Sequence, residues 1–371
     1  MNDFSNIDAA DTEVDGGVYV RPDPPQLVHG RVLHGDADTY AYEVAFLDEP
    51  LSKNIEVLKE LIQVKRIMAG AEHIVLHLTF GNKGGRYEIA KVREYQANRK
   101  SRDPLLVQRV SELRNFMANY LDETTVTPMP WTDQEADDGI TQAMYAGMVN
   151  PWWHNIEKSL CVMESIDKDL WMVPGIHMNK DTWELEVFPS GFGSCELDRT
   201  GSQVKIRGKG KSFFWHQLLQ GDGADNIPGL PYFDPSIVVE LGPTKELTTA
   251  KDQLRTGRNA KGKQLTAKQK TATRARIKKQ LAAVKPKTAG AVRTYEYLEG
   301  CTDDLSCFKK VMAAYNAYYG VEPFEFGTWD QKTITVTAGH MLLEQARLLW
   351  MRREHGESVI QFFEEVSKSG K

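Results

Sequence analysis

Residues 31–42, RVLHGDADTYAY, hold a short apolar run that ends in Gly35-Asp36, with a second acid at Asp38. An apolar run of this length beside a glycine reads as a buried strand, which places the Asp36 carboxylate at the strand's end. The pattern recurs in LCVMESIDKDL (160–170), where LCVM precedes Asp167 and Asp169, and WMV (171–173) reads as a further apolar strand. Glu135, Asp137 and Asp138 stand in EADDGI (135–140), and Asp222 and Asp225 in GDGADNIPGLP (221–231). Between them, NIEVLKELIQVKRIM (54–68) carries the three-to-four apolar spacing of an amphipathic helix, and HIVLHLTF (73–80) reads as a second strand. This alternation predicts an α/β fold, with a mainly parallel central sheet flanked by helices. Carboxylates at strand ends of such a sheet gather along one edge, where like charges cannot all ionise unless cations are bound. Oxygen ligands at that density suit Mg²⁺ or Mn²⁺ rather than zinc. The expected site is therefore a metal-dependent one that cleaves phosphodiesters.

The length of 371 residues suffices for one large domain or two ordinary ones. No apolar run approaches the length of a membrane span, and the start of the chain lacks a signal peptide's basic and apolar regions, so the expectation is a cytoplasmic protein with no membrane partner. Cys161, Cys195, Cys301 and Cys307 show no metal-binding spacing and are expected as free thiols. No P-loop, dinucleotide or serine-hydrolase pattern occurs.

The net charge of −5 hides an uneven distribution. Residues 1–28 form an acidic tail with Gly16-Gly17, Pro22, Pro24 and Pro25. Basic charge collects in two places. GNKGGRYEIAKVREYQANRKSRDP (81–104) carries Lys83, Arg86, Lys91, Arg93, Arg99, Lys100 and Arg102 among Tyr87 and Tyr95, and leads into the helix-like LLVQRVSELRNFMANYL (105–121). Such a segment suits a nucleic-acid strand. Residues 251–280 hold a second basic run with one acid, Asp252; within it QLTAKQKTATRARIKKQLAA (264–283) has helical composition, with Thr266 as its N-cap. Binding through such a run would weaken steeply with salt. Beyond residue 300, CFKKVMAAYNAYYG and AGHMLLEQARLLWMRREHGESVIQFFEEV carry apolar stripes that predict helices.

The ordered series HGDADTYAY, REYQANRK, EADDGI, SIDKDLWMVPGIHMN, GDGADNIPGLP and KPKTA resembles the flap-endonuclease family of 5′ nucleases. Within it, the series is similar in style to the 5′→3′ exonucleases of T-odd-like bacteriophages and the 5′-nuclease domain of bacterial DNA polymerase I. The resemblance runs from about Arg31 to Ala289. It implies a PIN/5′-nuclease-like core over 29–230 with a basic helical arch at about 81–130. It also implies a helix-turn-helix DNA-binding region over 231–300 interrupted by the insertion at 251–280, and a helical C-terminal region at 301–371. On the same basis Asp36, Glu135, Asp137, Asp138, Asp167 and Asp169 are the expected catalytic ligands of two Mg²⁺ ions, replaceable by Mn²⁺, with Asp222 and Asp225 completing the metal set. Arg86, Arg93, Arg99, Lys100, Lys168, Gly229 and Lys287 are the expected DNA contacts, with K⁺ at the helix-turn-helix. The implied activity is 5′→3′ exonuclease or flap endonuclease action on DNA 5′ ends, flaps or RNA primers, alongside phage replication proteins in an infected host.

Two departures bear on this expectation. Where the family carries an acid after its second strand, this chain has Gly81 or Asn82; where it carries a lysine in YKANR, this chain has Gln96. Asp38 is expected to replace the acid in part, and Lys91 or Lys100 the lysine. The alternative reading is a catalytically weakened DNA-junction binding protein of the same fold.

Overall fold

A computed structural model describes residues 22–45, 49–101, 103–120, 122, 124–201, 203–230, 253, 256, 263–274 and 290–369. Strand β1 (Val28–Asp36) is followed by helices α1 (Ala37–Ala45) and α2 (Leu51–Met68), then β2 (Ala71–Thr79). Next come α3 (Arg86–Ile89), α4 (Pro104–Met117), β3 (Val126–Trp131), α5 (Ala136–Gly147) and β4 (Cys161–Glu164). Strands β5 (Gly175–Met178) and β6 (Leu185–Phe188) precede a separate hairpin, β7 (Ser194–Asp198) with β8 (Lys205–Lys209), and helix α6 (Lys211–Gln220). The C-terminal layer holds α7 (Ala291–Leu298), α8 (Asp304–Tyr319), a hairpin of β9 (Phe324–Gly327) and β10 (Thr333–Val336), α9 (Ala338–Leu349) and α10 (Val359–Lys368).

The central sheet has six strands in the order β3-β2-β1-β4-β5-β6. Every neighbouring pair is parallel except β5–β6, so the expected mainly parallel α/β architecture is the one observed. Alternation along the strands divides the core. Val162 faces one cluster with Leu33, Leu58, Ile62, Ile74 and Leu113, while Met163 faces the other with Ile140, Met144 and Trp215. Helices α1, α2 and α4 cover the first face; α5, α6 and the C-terminal layer cover the second. In α2 the buried positions Leu58, Ile62 and Met68 follow the predicted stripe. Asp103 caps α4, its carboxylate accepting from Leu105 N at 2.9 Å, with Pro104 pre-set for the first turn.

Two expectations are corrected. WMV is not a strand: Trp171 and Met172 lie in a 3₁₀ turn spanning Lys168–Met172, and the next strand starts at Gly175. The Asp169 N–H bonds back to Asp167 at 2.9 Å, which curls the backbone before it can extend. The C-terminal region is mainly helical as expected, with the long stripe broken between α9 and α10 and the hairpin β9–β10 set between α8 and α9. The stretch expected to arch also contributes β3 to the sheet.

Thr266 does cap a helix at 267–274, accepting from Gln269 N at 3.3 Å. Residues 1–21, most of the 251–280 insertion and Lys287 lie outside the described residues. The four cysteines are free. Among the described residues no helix is long and apolar enough to cross a membrane.

Candidate active site

The chain leaves β1 towards β2 and β3, then returns to β4 on the opposite side of β1. Such a reversal opens a crevice beyond the carboxyl ends of the two central strands. Asp36 is the last residue of β1, and Ser165 and Asp167 follow β4 directly. Ser165 Oγ bridges the crevice, donating to Asp36 Oδ2 at 2.8 Å, and accepts from Asp167 N at 3.0 Å. Helix α5 packs against β1, β2 and β4 with its N-terminus at the same edge, so that Glu135 is its N-cap and Asp137 lies in its first turn.

Asp222 and Asp225 arrive on the loop after α6. That loop closes through paired bonds between Asp222 and Ile227, N to O at 2.9 and 2.7 Å. The closure depends on glycines: a Cβ at Gly221 would lie 2.5 Å from Gly229 N, and one at Gly229 would lie 2.3 Å from Gly221 N. Gly229 thus serves the loop's close approach.

The result is an open cavity of about 920 Å³ whose wall includes Asp36, Asp38, Glu135, Asp137, Asp167, Asp222 and Asp225, with Lys83, Arg99 and Lys168 among them. Burial, then Asp38, raises the Asp36 carboxyl well above its ordinary pKa. Burial and the facing Asp36 and Asp167 do the same to Asp137. Asp167 is pushed up to about 6, chiefly by burial. These carboxylates therefore repel one another across the crevice.

Cations hold several of the others. Glu135 lies 3.3 Å from Lys83 Nζ and 2.8 Å from Arg86 Nη1, Asp222 is bound by Lys168 Nζ at 2.8 Å, and Arg99 pairs with Asp225. Tyr95 Oη donates to Asp225 Oδ2 at 2.9 Å.

Three expected residues stand behind the cavity wall. Asp138 is fully buried, and both its oxygens accept from the Arg86 guanidinium, at 3.0 and 3.3 Å. Asp169 is buried and accepts from the Gln217 amide. Arg86, expected at DNA, is 1% exposed and meets carboxylates instead of phosphates. Arg93 is exposed but does not line the cavity, and the side chain of Lys100 lies outside the described residues.

The departures at 81 and 96 acquire a physical reason. Gly81 has φ +85, and a Cβ there would stand 2.4 Å from Thr132 O, so no acid fits at that position. Asp38 instead reaches the end of β2, accepting from Thr79 N at 3.1 Å and from Arg114 Nε at 2.8 Å. Lys83, named above in the basic segment but not among the expected DNA contacts, lines the cavity and donates to Gln96 at 2.9 Å.

Whether a divalent ion suits these residues is answered by their donors. All the carboxylates are hard oxygen ligands, and Asp137 Oδ1 is buried with no hydrogen-bond partner among the described residues. Asp36, Asp137 and Asp167 repel in the absence of a cation, so a bound one would relieve all of them. Among the described residues no three Asp, Glu, His or Cys side chains are already grouped to ligate a single ion. The donor set fits a hard cation, with Asp36, Asp137 and Asp167 as the side chains that would hold it.

Fold and cavity define an α/β protein with a carboxylate-rich, cation-walled site at the switch point of its sheet. Among solved structures, the chain is similar to the T5 D15 protein co-crystallised with metal ions (TM-score 0.36, 15% identity, covering 77% of this chain and 99% of that one). It is also similar to the bacteriophage T5 D15 flap endonuclease in a pseudo-enzyme–product complex with DNA and metal ions (TM-score 0.37, 12% identity, 78% and 99% covered). A third is T5 5′-exonuclease with bound zinc ions (TM-score 0.37, 14% identity, 78% and 99% covered). No family model matches the chain, and no curated protein does.

Proposed function

We propose that this protein is a Mg²⁺-dependent 5′ nuclease, acting as a 5′→3′ exonuclease or flap endonuclease on DNA. The observation that carries the reading is the cavity: acids from β1, α1, α5, the β4 turn and the α6 loop meet there beside Lys83, Arg99 and Lys168. A phosphodiester is anionic and its alkoxide is a poor leaving group, so cleavage needs positive charge at both the attacking and departing oxygens. Bound divalent ions supply that charge and a nucleophile usable at neutral pH. Asp36, Asp137 and Asp167 hold the ions in this reading. Glu135, Asp222 and Asp225 orient the surrounding cations, and Lys168 and Arg99 steer the strand. The segment over 81–130 and the basic run at 251–280 supply duplex and single-strand contacts, and RNA primers and phage replication proteins belong to the same proposal.

The test is cleavage of a 5′-labelled flap and a 5′-labelled duplex with Mg²⁺, repeated with a chelator. Product that disappears with chelator, and in Asp137→Ala and Asp167→Ala variants that still bind the flap, supports the proposal. No product from the unaltered chain under any divalent ion defeats it. A second reading, a DNA-junction binder with weakened catalysis, draws on the pairing of Glu135, Asp222 and Asp225 with cations. Tight flap binding without product, indifferent to metal, would select it.

A further inference from the structure

We propose that a second cavity, between β5–β6 and the β7–β8 hairpin, receives one unpaired nucleobase of the DNA strand that occupies the carboxylate site. The proposal rests on the nuclease reading and deepens it. This cavity measures about 490 Å³, with Met178 of β5, Phe188 of β6, Cys195 of β7 and Arg207 of β8 in its walls. That size falls within the range of about 300–1,000 Å³ usual for small-ligand pockets. Ile166, Trp171, Lys180, Asp181 and Arg207 line both this cavity and the carboxylate cavity, so the two adjoin. Ile166 directly precedes Asp167 and is 48% exposed. A strand whose phosphates meet Lys168 thus runs beside the apolar side chains of Ile166 and Trp171.

Chemistry selects the ligand. Charges around this cavity are answered in pairs: Lys209 Nζ lies 2.7 Å from Glu186, Arg207 Nε lies 2.6 Å from Asp198, and Lys180 pairs with Asp181. Such balance favours a neutral ligand over a bare cation or a free phosphate. The walls are flat as well. His177 and Phe188 stack with centroids 3.7 Å apart and planes within 5°. His177 Nε2 donates to Val173 O at 2.9 Å, and burial keeps the ring neutral, so Nδ1 is left as an acceptor. A flat, neutral group with an apolar face and polar edges suits these walls, and in a DNA strand that group is the base.

The cavity stands formed without a ligand. Gly210 N donates to Trp171 O at 2.8 Å, tying the end of the hairpin to the turn that carries Trp171. Lys209 reaches from β8 to Glu186 on β6, joining the hairpin to the central sheet, and its Nζ lies 4.6 Å from the Phe188 centroid. Trp171 leans on Phe213, centroids 5.5 Å apart, while staying half-buried. A base entering here meets walls already in place, which spares the ordering cost of building them.

The test places a single abasic nucleotide at each position of a 5′ flap's unpaired strand in turn and reads affinity by anisotropy in Ca²⁺. One position should bind roughly tenfold or more weakly than the intact flap, the scale of losing one base–aromatic contact. Trp171→Ala removes a wall, and Ser194→Trp sets an indole into the cavity from an exposed position on β7. In both variants the intact flap should weaken by a similar factor and the abasic penalty should vanish. A merely structural defect would leave that penalty in place. Thermal melts accompany the binding, and if Trp171→Ala unfolds early, Ser194→Trp decides. Free deoxyadenosine monophosphate that abolishes the penalty would assign the cavity to a released nucleotide and overturn the strand assignment. Cleavage by the unaltered chain with no sensitive position, or a penalty that persists in Ser194→Trp, overturns this proposal alone. An unaltered chain that neither binds nor cleaves the flap overturns the nuclease reading and this proposal with it.

Discussion

The Arg86 guanidinium lies flat against Asp138, Nη1 and Nη2 at 3.0 and 3.3 Å from its two oxygens, and the same Nη1 reaches Glu135 at 2.8 Å. Burial works against the Arg86 charge, yet Asp138 and Glu135 outweigh it and hold the guanidinium firmly protonated. Asp138 accepts a further bond from Arg352 N at 3.1 Å, so the start of α5, the segment after β2 and the C-terminal layer meet at one carboxylate.

Removing Arg86 would leave Asp138 charged in the interior with the more distant Arg352 Nε, at 3.9 Å, in place of the two-pronged guanidinium. Arg86→Met is therefore expected to lower stability by about 3–5 kcal/mol, the usual cost of breaking a buried pair from one side. Denaturant unfolding would read this directly; a loss below about 1 kcal/mol would show that the pair does not tie these elements together. Cleavage should fall as well, because Glu135 loses its closer cation.

How far the sequence carried this fold depends on the physics of each residue. Asp36 and Asp167 were readable because apolar runs mark buried strands, and an acid at the end of such a run sits at the sheet's carboxyl edge. The α2 stripe was readable for the same reason, since burial imposes a period. Arg86 was not: a basic residue among basic residues looks solvated, and only the fold reveals two carboxylates waiting inside. Asp138 and Asp169 share motifs with cavity acids, yet helix and turn geometry point them inward, one residue or two from neighbours that face the cavity. Lys83 and Gln96 stand 13 residues apart in the basic segment and meet only where its turns fold back, which composition does not show. The β9–β10 hairpin was hidden because Phe324–Gly327 and Thr333–Val336 are too short to declare an alternating pattern.

Gly81 invites the obvious repair of restoring an acid after β2. The backbone forbids it, with φ +85 and Thr132 O where a Cβ would stand. Gly81→Asp is expected to destabilise the protein by more than about 1 kcal/mol, and Gly81→Ala to do the same. Neither should improve cleavage. A stable Gly81→Asp variant with raised activity would show that Asp38 does not already serve that end of the strand.

Asp38 itself ties α1 to β2 and α4, through Thr79 N and Arg114 Nε. Asp38→Asn keeps the shape and the Thr79 bond but loses the charge that Arg114 answers. Because that pair is partly exposed, the expected loss of stability is small, about 1 kcal/mol or less. Activity should respond more, since Asp38 lines the cavity. Equal and slight effects on both would assign Asp38 to the scaffold alone.

The pH dependence of stability should separate the cavity acids from the buried histidines. Burial lowers His34 to about 4 and His177 to about 3, so the unfolded chain binds protons more readily than the fold does. Their contribution is present above the ordinary histidine value and is lost as pH falls through those lowered values. Asp167 runs the other way: raised to about 6, its contribution is full below the ordinary aspartate value and is lost as pH rises through about 6. Between about pH 5 and about pH 7.5, Asp167 therefore lowers the melting temperature of metal-free protein while His34 and His177 raise it, and Asp167 makes its own downward difference. Asp167→Asn should reduce that difference, and so should a saturating divalent ion, which binds the ionised acids of the folded state alone. Thermal melts at both pH values, with and without Mg²⁺, make the comparison. Mg²⁺ that leaves the neutral-pH melt unchanged would mean that these carboxylates do not share a cation.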